Sequence, residues 1–147
     1  MNVFQLNFDA RLQAWYELRT KIEKLDTLSK CLETDAWWQK APLVNHYLHT
    51  QDLSQWPGPW DLLVDNTYCT VARALGMCYT LILAGVTNVE MIEATDSGCE
   101  DLVIVVADGN ILNYWPNSVK TTKLKDFTVK RSIITGSTLQ TYIERKA

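Results

Sequence analysis

The chain has no CxxC pair, no histidine beyond His49, and no apolar run long enough to cross a bilayer. Its four cysteines, Cys31, Cys69, Cys78 and Cys99, are widely spaced. That spacing sets aside a disulfide frame or a zinc site and favours free thiols in a reducing cytosol. Proline and glycine number only four and six, and no linker, repeat or low-complexity segment divides the chain, so one domain over 1–147 is expected. A formal net charge of −3 provides no basic footprint, so nucleic acid is not an expected partner. The stretch MNVFQLNFDARLQ lacks the basic and apolar regions of a secretory signal, so a cytoplasmic rather than secreted protein is expected.

What is plentiful is aromatic surface. Six Trp and six Tyr in 147 residues exceed what a core of this size calls for, and a surplus suits a contact surface with another protein. Trp37 and Trp38 are adjacent within a short expected helix, Thr34–Pro42, so they point to different sides of it and are not both expected in one core. Trp56 and Trp60 flank a stiff turn set by Pro57 and Pro59. These four tryptophans are the expected interaction residues.

The chain is organised around Trp56–Gly85. From Tyr68 the apolar residues are almost continuous, with Arg73 the one charged residue, as expected for a helix that the rest of the domain wraps. Gly85 should end it in the left-handed conformation. Before it, apolar residues from Phe8 to Leu32 recur at steps of three and four, an amphipathic helix with a break near Leu25–Thr27 where Asp26 could start a second. After it the period shortens. Strands are expected over Asn88–Ala94, Asp101–Ala107, Asn110–Trp115 and Phe127–Ile134, with a last edge strand over Leu139–Ile143. Asp108-Gly109 is a two-residue hairpin turn. Helices first and a mostly antiparallel sheet second make an α+β fold.

Two places could carry chemistry. Cys69 opens the buried helix, where unpaired N–H groups favour a thiolate. His46 and His49 are three residues apart, and with Asp52 they could hold a metal on one helix face. Nothing there matches HExxH, however, and histidines in a polar loop are usually solvated, so neither a metal nor a cofactor is expected.

The run Asn66-Thr67-Tyr68-Cys69, then Ala72-Arg73-Ala74-Leu75-Gly76 and the strands from Val89 to Trp115, resembles the transglutaminase-like and papain-like cysteine folds. Those place a nucleophilic Cys at the start of a central helix, followed by an antiparallel sheet bearing His and then Asp or Asn. The resemblance implies a cysteine hydrolase or acyltransferase using Cys69. This sheet has no histidine to supply, so the base would have to be His46 or His49, with Asp108 or Asn113 as third member. Over the whole chain, WWQKAPLVNHYLH, WPGPWDLLVDNTYC, ARALGMCYTL and ILNYWP resemble small proteins of no assigned activity encoded by large phages with contractile tails. That likeness implies a virion or assembly component, a neck, tail or baseplate adaptor whose partners are other protein subunits. A non-catalytic structural module, without nucleic-acid or membrane partners, is therefore the leading expectation, and the Cys69 hydrolase is the alternative.

Overall fold

Asp26 divides the N-terminal apolar stripe. Its carboxylate accepts the Ser29 N–H at 2.7 Å and caps a second helix. The computed structural model, which describes residues 2–45 and 47–146, accordingly has α1 over Phe8–Ile22 and α2 over Thr27–Trp38. The Trp37-Trp38 pair ends α2 and does not form the separate helix expected over Thr34–Pro42. Pro59 stands in the first turn of α3 (Pro59–Asp65), a position where its missing N–H costs nothing. Asn66 then stops α3 in the left-handed region at φ 50°.

The apolar run folds as α4 (Thr70–Leu83), buried from Val71 to Leu81 and closed by Gly85 at φ 92°. The core closes around its middle. Thr80 Oγ1 accepts the indole N–H of Trp15 and that of Trp38, each at 2.9 Å, and donates to the Gly76 carbonyl at 2.7 Å. One hydroxyl thus satisfies two buried indoles, each of which would otherwise cost about 1–3 kcal/mol. Gly76 makes room for this arrangement, since a Cβ there would stand 2.5 Å from Trp38 Cη2. Phe4 packs its ring 5.2–5.6 Å from Tyr68 and Trp38 at the same junction.

The sheet follows as β1 (Val89–Thr95), β2 (Asp101–Ala107), β3 (Asn110–Leu112) and β4 (Thr128–Thr135), antiparallel throughout in the order β3-β2-β1-β4. Asp108 (φ 51°) and Gly109 (φ 86°) make the tight turn between β2 and β3 with both central residues left-handed, as the Asp-Gly pair foretold. Alternation decides the faces. Val89, Met91, Val105 and Ala107 join the main core with α4, while Ile92, Ala94, Ile104 and Ile111 form a smaller cluster behind the sheet under Tyr114 and Phe127. Strand β3 is shorter than expected because Asn113 takes φ 67° and breaks the ladder.

The expected edge strand at Leu139–Ile143 is instead part of a helix, α5 (Gly136–Lys146). Leu139 and Ile143, four apart, are both buried against the core, with Tyr142 half-buried beside them. That spacing covers one face of a helix, whereas strand alternation would also have turned Thr141 toward the same side. Helices and an antiparallel sheet segregated along the chain make the fold α+β. Among the described residues no helix is long and apolar enough to cross a membrane.

Candidate functional site

Cys69 stands where the sequence puts it, immediately before α4, but it is covered. The residue is 4% exposed, and its sulfur is bracketed by the backbone of Leu48, whose N–H donates to Sγ at 3.5 Å and whose carbonyl lies 4.0 Å away. The Val44 N–H pairs with the Tyr68 carbonyl at 2.7 Å, which ties the covering segment to the start of α4. His49 is exposed, and its carbonyl accepts the Trp56 indole N–H at 2.9 Å. His46 lies outside the described residues, so the expected pairing of Cys69 or His49 with it is not described. Among the described residues no group of three His, Cys, Asp or Glu side chains could hold a metal ion.

The four expected contact tryptophans divide. Trp38 and Trp56 are fully buried and have no surface to offer a partner, because each indole N–H finds its acceptor inside the fold. Trp37 and Trp60 are half-buried, with Trp37 against Phe4 at 5.0 Å and Trp60 edge-on to Trp15 at 6.0 Å. The exposed indole is Trp115, at 66%. The sequence assigned Trp115 only to the end of a strand. Its signal was its place just before Pro116, past a strand that must stop.

Trp115 stands beside a cleft of about 260 Å³ between the N-terminal end of α4 and the turn joining β1 to β2. Arg73 lines it from α4 and is itself 9% exposed. Its Nε donates to Asn113 Oδ1 at 2.6 Å. Asn113 in turn donates from its amide nitrogen to the carbonyls of Thr70 (3.1 Å) and Val103 (2.8 Å), and from its backbone N–H to Asp35 Oδ1 (2.9 Å). Gln39 adds a donor to the same Asp35 oxygen at 3.3 Å and reaches the Tyr114 carbonyl at 3.2 Å. Asp35, Asn113 and Arg73, far apart in sequence, thus form one buried polar chain.

Electrostatics follow from burial. Removal from water raises the Asp35 carboxyl above its ordinary range, opposed by the Asn113 N–H, the Gln39 amide and the charge of Arg73. Burial lowers Arg73, opposed by Asp35. A guanidinium stays protonated in either case. The rim carries the opposite sign. Asp96 accepts the Tyr114 hydroxyl at 2.9 Å, which, with the N–H groups of Gly98 and Glu100, holds its carboxyl below the usual range. Asp101 pairs with Lys130 at 2.6 Å, and Glu100 is exposed.

No cysteine or histidine of the described residues lines the cleft, so Cys69 and His49 are not brought to it. The cleft has a buried cation at its floor, a carboxylate rim and an exposed aromatic lip. No protein-family model matches the chain, and no curated protein matches it.

Proposed function

We propose that the chain is a non-catalytic interaction module that holds other protein subunits, in the manner of a neck, tail or baseplate adaptor of a contractile-tailed phage. One observation carries this reading: the thiol at the start of α4 is closed over by Leu48, while an exposed Trp115 lines a cleft beside the same helix. A large exposed aromatic beside a polar cleft is the kind of residue that dominates binding energy in protein contacts. The resemblance of its string of motifs to small phage proteins is the ground for the virion setting. Trp37 and Trp60, half-buried, are secondary contacts in this reading.

The test is incorporation into the assembled particle. Cys69→Ala should assemble as the parent does, and Trp115→Ala should assemble poorly while remaining folded. Normal assembly by the Trp115 variant together with failure of the Cys69 variant would reverse the assignment in favour of a Cys69 hydrolase.

A further inference from the structure

Arg73 holds more hydrogen-bonding capacity than the protein uses. A guanidinium has five N–H donors, and here Nε alone is bonded to a described residue, Asn113. No carboxylate of the described residues lies within ion-pair distance of it, because Asn113 stands between Arg73 and Asp35. The side chain is nine-tenths buried, yet it lines the cleft. Its two terminal nitrogens make no bond to a described residue, and a guanidinium's planar fork matches a carboxylate.

The rim narrows the choice of anion. Asp96, Glu100 and Asp101 line the same cleft, with only Lys130 paired against Asp101. Three carboxylates repel a phosphate or a polyanion before it can reach the guanidinium. A ligand that satisfies both levels must carry its own positive group, which the acidic rim and the Trp115 face both attract. The volume, about 260 Å³, lies just under the range of drug-sized pockets and suits a body the size of one amino acid.

We infer that this cleft binds a residue-sized zwitterion, its carboxylate on Arg73 and its cationic group among the acids of the rim. The inference rests on the cleft being the working face of the chain. The chemistry has two sources, a free basic amino acid or the C-terminal lysine or arginine of a partner subunit, and Nα-acetyl-L-lysine stands for the second.

Isothermal titration calorimetry of the full chain with L-lysine, Nα-acetyl-L-lysine and L-lysinamide tests it. Saturable binding of at least one of the two carboxylates is expected, with lysinamide weaker by about tenfold or more for loss of the bidentate contact. Binding of both carboxylates assigns the cleft to a chain terminus, and binding of lysine alone assigns it to the free amino acid. Arg73→Met should lose the interaction. Glu100→Gln, at an exposed site that folding does not depend on, should weaken it several-fold. Lysinamide binding as well as lysine, no saturation by any probe up to about 10 mM, or unchanged affinity in folded Arg73→Met would overturn the inference. Probe binding by a chain whose Trp115 and Cys69 variants both assemble normally would leave this site standing and remove only the assembly role.

Discussion

Arg11 and Arg73 are both buried, at 5% and 9% exposure, and they are buried for different purposes. Arg11 donates to the Leu63 carbonyl through Nε (2.9 Å) and Nη2 (2.7 Å), and to the Leu6 carbonyl through Nη1 (2.7 Å). Its charge sits at the C-terminal end of α3, where helix carbonyls lack partners and the dipole favours a cation. Arg73 makes one bond to the described residues and lines a cleft. Every nitrogen of Arg11 is bonded to a backbone carbonyl, whereas the Arg73 bond to the described residues leaves its two terminal nitrogens over. The closed region, from Arg11 across Thr80 to Cys69, and the open region at Arg73 therefore answer differently to substitution.

The largest effect is expected in the closed region at Thr80. Thr80→Val keeps the shape and removes the acceptor of both Trp15 and Trp38, so stability in urea should fall by about 2–5 kcal/mol, while Thr80→Ser should stay within about 1 kcal/mol. A small loss for the valine variant would mean that the two indoles have other acceptors.

The two arginines provide the direct contrast. Arg11→Met strands the Leu6 and Leu63 carbonyls and should cost about 3 kcal/mol. Arg73→Met strands a single acceptor, Asn113 Oδ1, and should cost less, about 1 kcal/mol. Equal losses in denaturant melts would erase the distinction between the two regions.

A subtler consequence concerns Asp35. Its carboxyl is raised in the fold above the ordinary value of 3.8, chiefly by burial, so the native state holds that proton more tightly than the unfolded chain does. Its contribution to stability is complete below 3.8 and is lost as the pH rises through the higher folded value. Asp35→Asn keeps an oxygen for the Asn113 N–H and abolishes this slope, so the variant should gain on the parent across that window. In an Arg73→Met background the window should extend upward, because the cation that favours ionised Asp35 is gone. A difference curve that is flat in both backgrounds would show that Asp35 and Arg73 are not coupled through Asn113.

Much of this was legible in local patterns, and the site was not. Asp26, the Asp108-Gly109 turn, the Asp101–Ala107 run and the Gly85 stop each act on neighbours within a few residues, so the break in the first helix, the hairpin and the central helix could be read directly. The last element was misread because Leu139, Tyr142 and Ile143 are too few to separate a strand from a helix, and the buried Leu139–Ile143 pair settles it only once a core exists to receive them. Trp38 and Trp56 were assigned to the surface because composition cannot say which aromatics find an acceptor inside. The cleft joins Asp35, Arg73, Asn113 and Trp115 across the fold, a proximity no local spacing encodes. Its one visible trace was a lone charge in an apolar helix, Arg73.

The smallest perturbation probes the closed end of α4 itself. Cys31, Cys69 and Cys78 are buried and Cys99 is exposed. Burial, with help from nearby Asp108 and Asp35, pushes the Cys31 thiol up to about 12, and full burial raises Cys78 as well. Cys69 is shielded by geometry, since a reagent must first displace the Leu48 backbone from the sulfur. Iodoacetamide at neutral pH should therefore modify the folded chain rapidly at Cys99 alone, and peptide mapping should find Cys69 labelled only on the timescale of local opening. Labelling of Cys69 as fast as Cys99 would mean that the Leu48 cover lifts readily and that this helix opens on an accessible thiol.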